Sequence, residues 1–395
     1  MTVSADELAL RWQLDPDVVF LNHGSFGACL REVLAAQTAL RAQLEAEPVK
    51  FLARDLEGLQ DGVRHALGDF LGADADGLTL VTNATVGVNT VLANLRLQPG
   101  DEILVTDQGY AACRNAVDRV AERLGARVVV AHVPFPLQSP DDVLDALDRV
   151  LTPKTRFCLI DHVTSPTALI FPVARIVPWL QARGVDVLVD GAHAPGMLPL
   201  DLTALGAAYY TGNCHKWLCA PKGAAFLHVR EDRRPGFAPL VTSHGMAVAR
   251  TDRSRFRLEH DWTGTSDPTP WLTIPAAIAA MARLLPGGWP ALMAQNHHRA
   301  CDARDRLCAA LDVPPPAPDA MLGSMAAVLL PPLRVPPQPP SLFDPLQDHL
   351  WRQHRIEVPV IDWPSPRVRL IRVSAQAYNA PGQFQFLADQ LRALR

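Results

Sequence analysis

The sequence predicts an α/β protein in two parts: a large domain on a mostly parallel seven-stranded sheet, and a smaller α+β C-terminal domain. Two observations carry this. Between about residues 20 and 230, short β-branched apolar runs alternate with amphipathic helical segments, the pattern of a sheet covered by helices on both faces. After "WTGTSDPTPW" the rhythm changes to longer helices separated by two isolated strand-like runs. The expected division is an N-terminal segment at 1–20, the large domain at 21–268 and the small domain at 269–395.

In chain order, the strands expected in the large domain are "GLTLVT", "DEILVTD", "RVVVAHV", "RFCLIDHV", "VDVLVDG", "AAYYTGN" and "GAAFLHV". Their apolar runs are near-continuous rather than alternating, as in strands buried on both faces. The helices between them, "TVGVNTVLANL", "AACRNAVDRVAERLG", "DDVLDALDRVL" and "VARIVPWLQARG", space their apolar residues three and four apart. The small domain begins with a helix "TIPAAIAAMARLL", stopped by "PGG", and a long helix through "WPALMAQNHHRACDARDRLCAALD". A strand "SMAAVLLP", a helix "SLFDPLQDHLWRQHR", a strand "VRLIRVSA" and a helix "APGQFQFLADQLRALR" complete it. The chain has 35 prolines, and the late clusters "VPPPAPDA" and "PPLRVPPQPPS" read as stiff connections.

Composition excludes several classes of partner. With 37 basic and 41 acidic residues the formal net charge is -4, too weak a field to draw in nucleic acid or an anionic membrane. No apolar run approaches the ~20 residues that span a bilayer, and the N-terminal stretch lacks a basic flank before an apolar core, so the expected location is cytoplasmic. Seven irregularly spaced cysteines predict no disulfide framework. Function must therefore be sought in sites, which in such sheets lie beyond the carboxyl ends of the strands.

The stretch "TGNCHKWLCAPKGAAFL" has two readings. Cys214, His215 and Cys219 are soft metal ligands by type, but Cys214 and His215 are adjacent and no second ligand pair at short spacing accompanies them. No metal is expected, and the cysteines read as small buried hydrophobes. Lys216 is the other reading. It follows the strand "AAYYTG", while the preceding apolar strand "VDVLVDG" ends in Asp190. A buried carboxylate there needs a cationic partner, or else it caps the next helix. "TNATVGVNT" follows a strand and opens a helix, so the N–H groups of Ala84 and Thr85 and the Thr85 hydroxyl can cradle a phosphate; an ordinary Asn or Thr cap is the plainer alternative. Tyr110 follows "EILVTDQG". Phosphate cradle, aromatic, acid and lysine together describe a site for pyridoxal 5'-phosphate. The lysine forms the Schiff base, the acid keeps the ring nitrogen protonated, and the aromatic covers the ring. Partial burial and a nearby cation favour the neutral amine that must attack.

These motifs, with "FLNHGSFG", "DHVTSPTALIFPV", "VDGAHAPG", "DWTGTSDPTPW" and "RLIRVSAQAYN", extend over nearly the whole chain. In combination they resemble the class V aminotransferase family of fold type I pyridoxal phosphate enzymes, and within it the isopenicillin N epimerase-like branch. The resemblance implies Lys216 as the Schiff-base lysine, Asp190 on the ring nitrogen, Tyr110 over the ring, and His193 and Ser165 near the ring hydroxyl. It implies Ala84, Thr85, Asn213 and His215 at the phosphate, joined by Thr265 from the neighbouring subunit of a homodimer. Arg372 is the implied arginine for the substrate α-carboxylate, with Arg367 and Arg369 as alternatives. Asn22 and His23 line the substrate pocket, or serve a turn built on Gly24 and Gly27.

The activity so implied starts when Lys216 removes the Cα proton of an amino acid held as a Schiff base. Reprotonation from the other face is epimerisation, for which Tyr110 or His23 is the second acid. Loss of a β-substituent is C–S lysis, and reprotonation at the cofactor carbon is transamination; epimerase and lyase stand ahead of transaminase. The desulfurases of this superfamily carry a sulfur-accepting cysteine in the C-terminal domain. Here the segment before "RLIRVSAQ" is "RIEVPVIDWPSP", without one, so no persulfide mechanism is expected. A pocket kept for binding without turnover is opposed by the presence of Lys216, Asp190 and Arg372 together. A dinucleotide oxidoreductase is opposed by the lack of G-x-G-x-x-G after the first strand.

Overall fold

The computed structural model describes residues 4–339, 341–364 and 367–395. Its strands are β1 (Val19–Phe20), β2 (Leu78–Val81), β3 (Glu102–Thr106), β4 (Arg127–Ala131), β5 (Thr155–Asp161), β6 (Asp186–Asp190), β7 (Tyr209–Asn213), β8 (Ala225–Val229), β9 (Met325–Leu329), β10 (Ile356–Glu357), β11 (Val360–Pro364) and β12 (Arg367–Ser374). Strands β2 to β8 are the seven runs expected from the sequence, and they form one sheet in the order β2-β8-β7-β6-β5-β3-β4. From β7 to β4 all neighbours pair in parallel, whereas β8 runs antiparallel to both β7 and β2. The apolar runs explain the layering. Val187, Leu188 and Val189 of β6 face alternate sides and are all fully buried, which requires cover on both faces.

The helices Ala84–Asn94, Ala111–Leu124, Asp141–Asp148 and Val173–Gln181 fall on the predicted segments. The chain passes from β3 to β4 on one side and returns to β5 on the other side of β3. Such a reversal of strand order opens a crevice beyond the carboxyl ends of the strands.

Two helices, Arg31–Ala46 and Leu56–Leu71, are additions to the elements expected from the sequence. They pack against Thr269–Leu272 and Ile274–Ala282. Farther on, β9, β11 and β12 form an antiparallel sheet in the order β11-β12-β9, accompanied by the helices Gly288–Leu311, Pro345–His354 and Pro381–Ala393. Of these strands, β11 was not expected. β1 pairs in parallel with β10, which ties the N-terminal segment to the C-terminal region. The turn that follows β1 meets β12 at one end, where the Gly24 N–H donates to Ser374 Oγ at 3.0 Å. Among the described residues, no helix is long and apolar enough to cross a membrane.

Candidate active site

Asp190 ends β6, a strand whose apolar residues bury it to 3% exposure. Its Oδ1 accepts from the Ala192 N–H at 3.0 Å and its Oδ2 from the Cys113 thiol at 3.3 Å, and neither donor is a cation. Burial pushes its pKa up, against the pull of those donors and of Lys216.

Lys216 follows β7 in the turn after Asn213. Its Nζ lies 3.1 Å from His193 Nε2. Burial first, and the charge of Arg372 second, push the lysine down to about 7, against Asp190, Cys113 and Asp161. A large fraction of neutral amine near pH 7 is what a nucleophile or general base requires. His193 is 2% exposed and is held neutral, well below its usual range, by burial and then by Lys216 and Arg372. Its Nδ1 has no partner among the described residues.

Arg372 arrives on β12 and is 3% exposed. Nη1 donates to the Ser165 carbonyl at 2.5 Å and to its Oγ at 3.3 Å, and Nη2 donates to Ser25 Oγ at 3.0 Å. Nε has no partner, and no carboxylate pairs with the guanidinium among the described residues. Burial lowers its pKa to about 10. Of the alternatives, Arg369 is held by Asp344 at 2.5 and 2.9 Å, and the side chain of Arg367 lies outside the described residues.

These groups share one cavity of about 600 Å³, lined also by Tyr110, Ser165, Asn213 and His215. Tyr110 is the N-cap residue of Ala111–Leu124 and is 46% exposed. At the other end lies the start of Ala84–Asn94, where the Ala84 N–H already donates to Asn213 Oδ1 at 2.8 Å. The expectation that this N–H is free for a phosphate is therefore corrected. The Thr85 N–H, in the first turn, finds no carbonyl within its own helix. His215 gives its Nδ1 hydrogen to the Ala224 carbonyl at 3.0 Å, and burial holds the ring down to about 4. Its Nε2 is then an acceptor, so His215 donates to an anion only after taking up a proton.

One further expectation changes, that for Asn22 and His23. Ser165 meets the Arg372 guanidinium through both its carbonyl and its hydroxyl oxygen; because the hydroxyl accepts there, its hydrogen is still available to a cofactor oxygen. His23 is fully buried with Nε2 on the Lys216 carbonyl and Nδ1 on Tyr378, and Asn22 is tied to Ser25 and Glu357. The cavity wall at this point is Gly24, Ser25 and Phe26 instead, because the turn points the side chains of Asn22 and His23 into the protein. Thr265 is exposed and, within its own chain, lines a separate cavity with Leu240 and Trp271; the expectation for it concerns the site of a neighbouring subunit.

The sequence reading missed Asp161, the last residue of β5, which is paired in register with Asp190 and lines the same cavity. It missed Ser25 as well. The signal for Asp161 lay in "RFCLIDHV", a second apolar strand ending in an acid.

Pyridoxal phosphate fits this set of groups. A ring cation offers Asp190 the partner it lacks, the His193 Nδ1 awaits a polar neighbour, and a helix start with a free N–H suits a phosphate. All seven cysteines are buried, so none presents an exposed thiol to a sulfur atom.

The sequence profile of the Aminotransferase class-V family matches residues 31–289. An isopenicillin N epimerase of Amycolatopsis lactamdurans is 38% identical, covering 96% of each chain. A probable chloroplastic L-cysteine desulfhydrase of Arabidopsis thaliana is 29% identical over 96% of this chain and 83% of its own. Among solved structures, a cystine C–S lyase in complex with its product cysteine persulfide has a TM-score of 0.78 at 23% identity, covering 96% of this chain and 98% of that one.

Proposed function

The chain belongs to the class V aminotransferase family, and from that premise we propose that it is a fold type I pyridoxal phosphate enzyme that epimerises the Cα of an amino-acid substrate, as an isopenicillin N epimerase-like enzyme. The observation that carries this reading is the single cavity shared by a buried lysine lowered to about 7, a buried acid without a cation, and an arginine without a carboxylate.

When bound, the cofactor supplies an electron sink conjugated to the substrate Cα. Asp190 holds the proton on the ring nitrogen and so acquires the counter-charge its burial demands. Arg372 takes the substrate α-carboxylate in a two-pronged contact, with Ser25 and Ser165 fixing the guanidinium plane. His193 stands against Nζ and orients it. Lys216 then takes the Cα proton as general base. Tyr110, in the cavity wall, is the acid that returns a proton from the other face. Thr85 and Asn213 hold the phosphate end, joined by His215 once its ring has taken up a proton. The protein works in the cytoplasm as a homodimer in which Thr265 of one subunit completes the neighbour's phosphate site, with residues 21–268 as the large domain and 269–395 as the small one. Cleavage of a Cβ–S bond begins with the same proton abstraction, and likeness to a desulfhydrase favours it as the second reading.

The test is the absorption spectrum of the purified protein and of its Lys216→Ala variant, followed by incubation of the wild type with isopenicillin N and a panel of L-amino acids in deuterated water. A visible band lost in the variant, with deuterium at Cα of an inverted product, is the expected result. Pyruvate release from S-substituted cysteines without inversion selects the lyase instead, and a wild type that never binds added pyridoxal phosphate overturns the whole reading.

A further inference from the structure

The motif "NHGSFG" takes part in the mechanism above only through Ser25, yet it also touches the backbone of Lys216. His23 Nε2 lies 3.1 Å from the Lys216 carbonyl oxygen and Nδ1 lies 2.9 Å from the Tyr378 hydroxyl. Gln376 Nε2 and Cys219 Sγ are farther from Nε2, at 3.5 and 3.7 Å. A carbonyl only accepts, so Nε2 carries the hydrogen and donates. In the neutral ring Nδ1 then accepts from Tyr378, whose hydroxyl selects this tautomer. Burial holds the ring neutral, down to about 3.

The same turn touches the lysine segment a second way. Gly27 has φ of 71°, and a Cβ there would lie 2.1 Å from the His215 carbonyl oxygen and 2.9 Å from Lys216 Cα. Lys222 Nζ donates to the Gly27 carbonyl at 2.8 Å and closes the contact. Between the two glycine-flanked ends, Ser25 Oγ holds Arg372.

We propose that His23 is a positioning residue for the base: its Nε2–H, oriented by Tyr378, fixes the Lys216 carbonyl and hence the direction from which Nζ enters the cavity. Because Ser25 lies two residues on, one turn sets the base and the carboxylate clasp relative to each other. The inference rests on Lys216 being the base.

The experiment compares wild type with His23→Leu, His23→Gln and Tyr378→Phe. One readout is kcat and KM for the amino-acid substrate. The other is the rate at which cofactor-free protein captures added pyridoxal phosphate, with the fraction fixed at Lys216 by borohydride measured by mass spectrometry. His23→Leu is expected to lower kcat and capture rate by about 10- to 100-fold, the cost of roughly 1 Å of misplacement at a reacting group, with KM within about threefold. His23→Gln, whose amide N–H reaches the same acceptor, restores both to within about threefold, and Tyr378→Phe falls between. If His23→Leu does not fold, the other two variants decide. Capture and kcat unchanged in Tyr378→Phe and in whichever His23 variant folds, or equal losses in Leu and Gln, overturn the proposal. A wild type that fixes no cofactor at Lys216 overturns the base assignment itself, and is told apart because positioning alone then has nothing to act on.

Discussion

Lys216 is a cation by default that the fold turns into an amine. Burial is the larger cause and the Arg372 charge the next, while Asp190, Cys113 and Asp161 act the other way. The sign gives a testable profile. Capture of pyridoxal phosphate by the cofactor-free protein needs neutral Nζ, so its rate should rise with pH through about 7 and then level off. Removing a repelling positive charge in Arg372→Leu should move the midpoint upward. Removing an attracting negative charge in Asp190→Asn should move it downward. Midpoints that stay together, read from the growth of the visible band in stopped flow, would refute this account of the lysine. Lys216, Asp190 and Arg372 were legible in the sequence because each sits beside a recognisable strand end. Asp161 also ends an apolar strand, but its importance arises from register. Only when β5 and β6 are aligned does Asp161 face Asp190 across one strand spacing, where burial and that neighbouring charge push it well above the usual carboxylate range.

At the scale of elements, what could be read and what could not follows from how each element is buried. The seven sheet strands announce themselves because both of their faces are covered, so that nearly every residue is apolar. The helix Arg31–Ala46 fully buries only Val33 and Gln37, and its apolar stripe, Val33, Ala36, Leu40 and Leu44, is narrow and otherwise half-buried, so periodicity had little to detect. Leu56–Leu71 does bury Leu56, Val63, Leu67 and Leu71 and ends on Gly72 in the left-handed conformation, a signal that was present. The sequence also treats glycines alike, and the elements separate them. Gly62 lies within Leu56–Leu71, and a methyl group at its Cα would meet nothing within 4 Å, so Gly62→Ala should stabilise the protein by about 0.5–1 kcal/mol through helix propensity. Gly27→Ala adds a left-handed backbone penalty of about 1–3 kcal/mol to a collision with the backbone of His215 and Lys216, and should lose both stability and cofactor capture. Urea midpoints for the two variants that move in the same direction would break this distinction.

Over the whole molecule, the burial that organises the site also sets the response to acid. His23 is lowered to about 3, and His162, His215 and His228 to about 4, in each case chiefly by burial. The unfolded chain protonates these rings as pH falls through about 6.5, whereas the folded protein keeps them neutral until much lower pH. Their contribution to stability is therefore complete above the unfolded value and is lost progressively down to pH 3–4. Asp161 and Asp190 oppose this, because their raised pKa values let the folded state take up protons first. These four rings, with His193, His260 and His349 lowered beside them, outnumber those two raised carboxylates and leave a net uptake on unfolding, at about 1.4 kcal/mol per pH unit for each proton. Urea unfolding of the cofactor-free protein should therefore show stability falling from pH 6.5 toward pH 4. His228 lies on β8 outside the cavity, beside Arg234 and Asp74, so His228→Gln removes one titrating ring without touching the site. That variant should show a slope shallower by about one proton, roughly 1.4 kcal/mol per pH unit near pH 5. If instead wild type and variant lose stability in parallel, His228 does not act as a buried neutral ring and the histidine account of the acid limb fails.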